Sequence, residues 1–212
     1  MSLLITLVRH GETDWNAAGR IQGHEDIGLN AVGLAQADQL AQRLAREQFD
    51  AVVSSDLQRT RQTVAPLLAR QPVPVSYDAQ WRERNFGRLQ GMRRADMEQS
   101  APEFLPLLAR RDLDADFGGG ESLLVFSERC VDALNALIAR YGTGHVLVVC
   151  HGGVLDCVYR HAAGLSLEVP RPVGLRNAAI NQLRSVGGPD RLEVVCWDDT
   201  SHLDSARDET DK

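Results

Sequence analysis

The sequence predicts an α/β protein with a doubly wound, largely parallel central sheet, flanking helices and a small irregular or helical cap. Short apolar runs typical of buried strands alternate along the chain with longer segments of helical periodicity, which indicates strand–helix–strand units. The chain has 212 residues, of which 43% are hydrophobic, so it is long enough to bury a substantial core. We therefore expect one domain over residues 1–212.

Six short apolar runs are the candidate strands. Five of them have the length and the aliphatic content of ordinary strands, and they lie at 3–8, 51–54, 145–150, 179–186 and 192–197. The sixth run, 73–75, contains Pro74 and therefore suits only an edge strand.

Four helices are predicted between these runs. Asn30 can cap the first, which extends to about residue 48, and Ser122 can cap the third, which extends to about residue 141. The second covers about 58–69, and the fourth follows His151. In the first helix the spacing directs one apolar stripe toward the core, formed by Leu34, Ala37, Leu40, Ala41 and Leu44.

Three segments lack a clear period. Residues 9–29 are rich in Gly, Asn and Asp and are expected to form a loop. Residues 84–120 mix glycines, prolines and weakly helical stretches, and we expect them to cover one end of the sheet as a cap. The tail from about residue 199 is acidic, and this composition favours fraying.

The composition limits the classes of function. A net charge of -6 argues against a nucleic-acid partner, which usually requires a basic face. No apolar run reaches the roughly 20 residues of a membrane helix, and the start of the chain does not resemble a signal peptide. We therefore expect a cytoplasmic protein with no membrane partner. The four cysteines form no Cys-x-x-Cys pair and no cluster has metal-ligand spacing, so no metal or cofactor is expected.

Polar residues follow three of the predicted strands. Arg9 and His10 come after the first, Ser55 and then Arg59 after the second, and His151 after the run at 145–150. Because ligands of open α/β sheets bind at the carboxyl ends of the strands, these side chains should converge on one face. Several cationic donors in one place suit a phosphate group.

Short motifs over nearly the whole chain carry a resemblance. They are Leu7-Val8-Arg9-His10-Gly11-Glu12 through Asn16, Gln22-Gly23, Leu29 through Ala37, Ser54-Ser55-Asp56-Leu57-Gln58-Arg59 through Thr63, Arg82-Glu83-Arg84 through Gly87, Gly119-Gly120-Glu121-Ser122 and Cys150-His151-Gly152-Gly153. The triplet Arg-His-Gly alone is a weak signal, whereas the ordered set is specific. The chain resembles the histidine phosphatase superfamily, the phosphoglycerate-mutase-like fold, and within it the phosphatase-type members.

The resemblance implies roles for the matching residues. His10 would be the nucleophile that forms a phosphohistidine, and Glu83 the acid that protonates the leaving oxygen. The implied catalytic set is His10, Glu83, His151, Arg9 and Arg59, and the implied substrate-binding set is Asn16, Gln22, Gly23 and Gly152.

Structural explanations stay open for the same residues. His10 could be a hydrogen-bonded histidine at a strand end, and Asn16 could cap a turn. Glu83 lies between Arg82 and Arg84, so an exposed salt bridge is the competing interpretation. The histidines that match no motif are expected to be structural or exposed, and they are His24, His145, His161 and His202.

The expected activity is hydrolysis of small phosphomonoesters without a metal ion. The nearest alternative is a cofactor-dependent phosphoglycerate mutase, although Asn85 and Phe86 stand where mutases of this family carry His and Tyr. Arg110 and Arg111 are the cap residues that could still grip a carboxylate. A more remote alternative is a protein that binds a phosphorylated ligand without turnover. The sequence leaves the choice between a monomer and a homodimer open.

Overall fold

A six-stranded sheet runs through the middle of the protein, whose computed structural model describes residues 2–206. The strands are β1 (Ser2–Arg9), β2 (Ala51–Ser54), β3 (Val75–Tyr77), β4 (Gly144–Cys150), β5 (Ile180–Val186) and β6 (Leu192–Asp199). Their order across the sheet is β3-β2-β4-β1-β5-β6. β4 and β1 are therefore the two central strands.

Four neighbouring strands, β3, β2, β4 and β1, are parallel. β5 runs antiparallel to β1, and β6 runs antiparallel to β5. The prediction of a doubly wound, largely parallel α/β sheet is confirmed, with two antiparallel strands at one side. The register of β1 and β4 pairs Arg9 with Cys150, so the residues that follow these strands, His10 and His151, emerge at the same level.

Helices cover both faces of the sheet. Within the described residues the α-helices are α1 (Asp14–Ala17), α2 (Ala31–Arg43), α3 (Gln58–Arg70), α4 (Met97–Ser100), α5 (Leu105–Ala109), α6 (Leu123–Tyr141) and α7 (Gly152–Ala163). Both predicted caps are present, because Asn30 accepts from the N–H of Gly33 and Ser122 from the N–H of Val125. None of these helices is long and apolar enough to cross a membrane.

The first long helix, α2, is shorter than the sequence predicts. It ends at Arg43 instead of near residue 48, because the chain turns at Leu44 and Asp50 then donates its N–H to the carbonyl of His145 in β4. The predicted apolar stripe is also wrong at one position. Leu40 is 2% exposed, whereas Leu34, in the first turn of the helix, is 49% exposed.

Two smaller bounds also differ from the prediction. The edge strand covers Val75–Tyr77 instead of 73–75, because Pro74 has no N–H to donate and contributes only its carbonyl, which accepts from the N–H of Val52. The segment expected to be a loop, residues 9–29, contains the short helix α1, which Thr13 caps through its side chain.

The alternation of side chains along β1 divides the core into two layers. Leu7 packs in the layer that contains α6 and α7, and Val8 packs in the layer that contains α2 and α3. The first layer includes Leu3, Ile5, Phe126, Leu134, Val148 and Leu155, and the second includes Leu40, Leu44, Val52, Val64 and Val149. Two-sided burial holds the carboxyl ends of the strands in place.

Short helical turns make up the cap predicted at about 84–120. Besides α4 and α5 they include 3₁₀ helices at Gly87–Leu89, Arg94–Asp96 and Pro102–Phe104, and a further one, Ala79–Trp81, precedes the cap. A third apolar cluster lies beneath these turns, formed by Ile21, Leu89, Met97, Ala101 and Phe117. Arg111 joins the cap to α7, because its Nη2 lies 3.0 Å from Oδ2 of Asp156.

The start of the acidic tail contacts α2. Nε2 of Gln36 donates to the carbonyl of Ser205 at 2.9 Å, and Nε2 of Gln39 donates to Asp204 at 2.6 Å. Residues 207–212 lie outside the described residues. Fraying of the tail, like the assignment of the whole chain to one domain, stays a prediction.

We expect Leu40→Ala to lower the free energy of unfolding by about 2–5 kcal/mol, because it leaves a cavity in a closed layer. Leu34→Ala, on the same helix, should change it by no more than about 0.5 kcal/mol, because that side chain is half exposed. Urea unfolding of both variants measures the difference. Equal losses would contradict the assignment of α2's buried face.

Candidate active site

The carboxyl ends of β1, β2 and β4 bring three sequence segments together. The N–H of His10 donates to the carbonyl of Cys150 at 3.0 Å, and the N–H of Ser55 donates to the carbonyl of Val149 at 2.9 Å. As a result the rings of His10 and His151 face each other, with centroids 5.2 Å apart and planes tilted by 58°. The convergence predicted from the strand ends is therefore present in the structure.

The ring of His10 is held in one tautomer. Its Nδ1 lies 2.7 Å from the carbonyl oxygen of Gly11, which can only accept, so Nδ1 carries the proton and Nε2 carries the lone pair. Burial, followed by the charges of Arg59 and Arg9, lowers the pKa of His10 well below its ordinary value. His10 is therefore a neutral imidazole whose Nε2 carries the lone pair.

His151 is neutral for the same physical reasons. Nε of Arg59 donates to its Nδ1 at 3.2 Å, which leaves the proton on Nε2, 2.9 Å from Oγ of Ser55. Burial and then the charge of Arg59 lower the pKa of His151 well below its ordinary value, and His10 and Arg9 add to the effect. Two neutral imidazoles thus stand beside two permanent cations.

Both arginines are fully buried, and backbone carbonyls orient them. Arg59, in the first turn of α3, donates through Nη1 to the carbonyl of Glu25 and through Nη2 to that of Gly23, each at 2.8 Å. Arg9, the last residue of β1, donates through Nη1 to the carbonyl of Leu175. Buried cations next to neutral histidines create a site that favours an anion.

Glu83 enters the site from the segment that follows the 3₁₀ helix Ala79–Trp81. It is 8% exposed, and its carboxylate accepts from the N–H of Arg84 at 2.8 Å and from the N–H of Gly153 at 2.9 Å. Gly153 lies in the first turn of α7, where the helix dipole favours a negative charge.

The competing interpretation of Glu83 as an exposed salt-bridge partner does not fit this environment. Arg82 pairs with Asp56, with Nη2 and Oδ2 2.6 Å apart. Arg84 is buried, and its guanidinium donates to the carbonyls of Ala115 and Glu121. Burial lowers the pKa of Arg84 to about 10, so the residue stays charged at neutral pH.

The four residues predicted to bind substrate occupy different surroundings. Oδ1 of Asn16 accepts from the N–H of Thr13 in a capping box, which is the turn-capping geometry. Gln22 is 7% exposed, and its Oε1 accepts no hydrogen bond from the described residues. Gly23 has φ +54°, a conformation that suits glycine, and a Cβ at Gly152 would press on Arg9 at 3.3 Å from Nε. Their roles stay predictions.

Several residues that shape the site were not identified from the sequence. Nδ2 of Asn177 donates to the carbonyl of His10 at 3.0 Å, and Oγ1 of Thr63 accepts from the N–H of Gly11 at 2.9 Å. A Cβ at Gly153 would collide with Oε1 of Glu83 and approach Phe126. Gly152-Gly153 and Thr63 lay within motifs of the resemblance, which assigned Thr63 no role, whereas nothing local marked Asn177.

The other histidines have separate positions. Nε2 of His24 donates to the carbonyl of Glu83 at 2.8 Å, so His24 supports the site, although the sequence indicated no role for it. His145 packs against Phe49, and His161 is exposed on α7. His202 is partly buried near the start of the tail. Within residues 2–206 no group of three His, Cys, Asp or Glu could hold a metal ion.

The chain belongs to the histidine phosphatase superfamily (branch 1), whose family model matches residues 5–200. It is 36% identical over 203 residues to phosphoglycerate mutase-like protein 4 of Arabidopsis thaliana, covering 94% of this chain and 86% of the relative. It is 38% identical over 207 residues to the metal-independent phosphoserine phosphatase of Arabidopsis thaliana, covering 95% of this chain and 83% of the relative. Among solved structures, a mycobacterial glucosyl-3-phosphoglycerate phosphatase complexed with VO3 superposes with a TM-score of 0.83. The two sequences are 29% identical, and the superposition covers 93% of this chain and 99% of the other.

The buried, neutral state of His10 predicts a pH-dependent stability. Below its ordinary pKa of 6.5 the unfolded chain binds a proton at His10 and the folded protein does not, so the free energy of unfolding falls as the pH drops below 6.5. Each such histidine contributes a limiting slope of about 1.4 kcal/mol per pH unit. In His10→Gln the slope of the unfolding free energy against pH should therefore be shallower by up to about 1.4 kcal/mol per pH unit. This difference should appear between pH 6.5 and the lowered pKa of His10 in the folded protein, and the two slopes should agree above pH 6.5.

The measurement is urea unfolding across this range in a buffer without phosphate. His161→Gln removes an exposed histidine from α7 and is the matched control, which should keep the slope of the unmodified protein. Identical slopes for the unmodified protein and His10→Gln would show that His10 is not held neutral.

Proposed function

We propose that this chain hydrolyses small phosphomonoesters through a phosphohistidine formed on His10. The observation that carries the proposal is the neutral His10 ring, whose Nε2 lone pair stands beside two buried arginines and opposite His151. Arg9 and Arg59 would stabilise the non-bridging oxygens of a bound phosphomonoester dianion.

In the first step Nε2 of His10 attacks phosphorus in line with the bond to the leaving oxygen. The N–P bond forms with the imidazole lone pair, and the P–O bond breaks with its electrons going to the leaving alkoxide. Glu83 gives that alkoxide its proton and becomes a carboxylate. The backbone N–H groups of Arg84 and Gly153, which already contact both oxygens of Glu83, then stabilise the new charge.

In the second step water attacks the phosphohistidine. The Glu83 carboxylate takes a proton from this water while the N–P bond breaks, and its electrons return to Nε2. Inorganic phosphate leaves, and both His10 and Glu83 recover their starting states. His151 would donate a hydrogen bond to the phosphoryl group from Nε2, the nitrogen that now contacts Ser55.

The names of two similar proteins support the same reaction class. One is named a phosphoserine phosphatase and another a glucosyl-3-phosphoglycerate phosphatase, and both names describe hydrolysis of a small phosphorylated metabolite. The first is also named metal-independent, which agrees with a site that neutralises phosphate with arginines. We propose a small-molecule phosphomonoester as the substrate of this chain.

Mutase activity is the second candidate, because one relative is named phosphoglycerate mutase-like. The cap gives it little support. Arg110 is bound to Asp112 at the surface, and Arg111 is bound to Asp156 and to the carbonyl of Leu167, so both cations have structural partners. The ring of Phe86 stacks on Phe117 and offers no polar group.

We also propose that the protein acts in the cytoplasm and does not bind nucleic acid. The four cysteines are free thiols, and three of them, Cys130, Cys150 and Cys157, are buried, which suits a reducing compartment. The net charge of -6 does not favour a nucleic-acid backbone.

The phosphoenzyme should be detectable on His10. Rapid mixing with a ³²P-labelled phosphomonoester in excess EDTA, followed by an alkaline quench, should show acid-labile label on the peptide that contains His10. His10→Ala should lose the label and at least about 10³-fold of kcat, because the nucleophile is gone. His161→Ala, an exposed histidine, should keep both. Full turnover by His10→Ala, or activity that requires added Zn²⁺ or Mg²⁺, would refute the mechanism.

Water should be preferred to a second hydroxyl as the phosphoryl acceptor. With 3-phosphoglycerate and catalytic 2,3-bisphosphoglycerate, we expect inorganic phosphate to form faster than 2-phosphoglycerate. Phe86 offers no hydroxyl group to a bound phosphoglycerate. One missing hydrogen bond to a charged group weakens the binding of that intermediate by about 1.5–3 kcal/mol, roughly tenfold to a hundredfold. His10→Ala gives the background of the assay. Isomerisation that outruns phosphate release would establish the mutase instead.

A further inference from the structure

Glu121 and Arg129 form a bidentate ion pair at the beginning of α6, outside the site described above. Nε of Arg129 lies 2.7 Å from Oε1 of Glu121, and Nη2 lies 2.8 Å from Oε2. Both side chains are more than four-fifths buried. Glu121 belongs to the motif Gly119-Gly120-Glu121-Ser122, for which the proposed mechanism has no use.

The pair is bound to the backbone on both sides of Glu83. Arg129 donates to the carbonyls of Gln80 at 2.7 Å, Arg82 at 3.0 Å and Glu83 at 3.2 Å. A guanidinium has five N–H donors, and these three bonds together with the two to Glu121 use all five. Every donor of Arg129 is therefore directed at Glu121 or at the segment that carries the carboxylate.

Glu121 binds the same segment just beyond Glu83. Its Oε2 accepts from the N–H of Asn85 at 2.8 Å, and its own N–H donates to the carbonyl of Asn85 at 2.8 Å. Gly120 allows this approach, because a Cβ there would collide with the backbone of Asn85 and Gly87. Residues 80–85 are thus held at two carbonyls before the acid, at the carbonyl of Glu83 itself, and at Asn85 after it.

The ion pair is stable in its charged form. Burial opposes ionisation of Glu121, but the hydrogen bonds from Arg129 and from the N–H of Asn85 outweigh it and lower the pKa of Glu121. Burial likewise opposes the charge on Arg129, and the hydrogen bond to Glu121 outweighs it and raises the pKa of Arg129. Breaking a buried pair of this kind leaves an uncompensated charge.

We propose that Glu121 and Arg129 are positioning residues for Glu83, which they act on through the backbone of residues 80–85, and that they do not contact the substrate. The inference rests on the proposed role of Glu83 as the acid of the first step. A protonated carboxyl group that is fixed within hydrogen-bond reach of the leaving oxygen transfers its proton efficiently, and small displacements lower the rate.

Arg129→Lys is the decisive variant, because lysine keeps the charge but has one nitrogen with three donors and cannot span Glu121 and three carbonyls. Single-turnover rates of leaving-group release should fall roughly tenfold to a hundredfold for glycerol 2-phosphate, whose alkoxide needs the proton. They should fall less than about threefold for 4-nitrophenyl phosphate, whose leaving group needs little protonation. Inhibition by inorganic phosphate should change less than about threefold, because the phosphate pocket is untouched.

Two further variants separate positioning from general destabilisation. Glu121→Gln should reproduce the dependence on the leaving group, and Arg140→Lys, an exposed position on the same helix, should change neither rate. Combining Arg129→Lys with Glu83→Gln should slow glycerol 2-phosphate no more than Glu83→Gln alone does, because the pair acts only through Glu83.

The outcomes distinguish this inference from the proposed function. Suppose first that Glu83→Gln slows only the ester with the poor leaving group. The positioning role is then refuted, and the mechanism stands, if Arg129→Lys slows both esters equally, leaves both rates unchanged, or adds its full effect to that of Glu83→Gln. If Glu83→Gln itself slows both esters equally, the acid role of Glu83 is refuted, and the inference fails with it.

Discussion

The parallel register of β1 and β4 is the constraint on which the site depends. Because Arg9 pairs with Cys150, the chain leaves both strands at the same level, and His10 and His151 follow with their rings 5.2 Å apart. A shift of one residue in either strand would turn the side chains to opposite faces of the sheet. The two packed layers that bury both faces of β1 prevent such a shift.

Burial of Arg9 and Arg59 beside the histidines has a cost that the backbone offsets. Isolated charges in a protein interior are strongly unfavourable, and here carbonyl oxygens of Gly23, Glu25 and Leu175 receive guanidinium N–H groups. Burial, together with these cations, keeps the imidazoles of His10 and His151 neutral. One arrangement therefore produces both a cationic pocket and two uncharged imidazoles.

Local signals in the sequence predicted most of the sheet, the caps at Asn30 and Ser122, and the histidines at the strand ends, because each depends on neighbouring residues. The end of α2 and the exposure of Leu34 depend instead on how the chain rejoins the sheet, which no local pattern encodes. Asn177 and Thr63 contact His10 and Gly11 across more than 50 sequence positions. Partners that distant are determined by tertiary packing alone.

In the proposed mechanism, charge stabilisation and proton transfer come from two different parts of the fold. The carboxyl ends of the strands carry the arginines and histidines that would bind and accept the phosphoryl group, and strand register fixes their positions. Glu83 is carried instead by a segment next to the cap, which the first turn of α7 contacts through Gly153 and the Glu121–Arg129 pair contacts through the backbone. The proposed acid is therefore placed by α7 and by the Glu121–Arg129 pair, and in the proposed mechanism the side chains of the cap would be left to select the rest of the substrate.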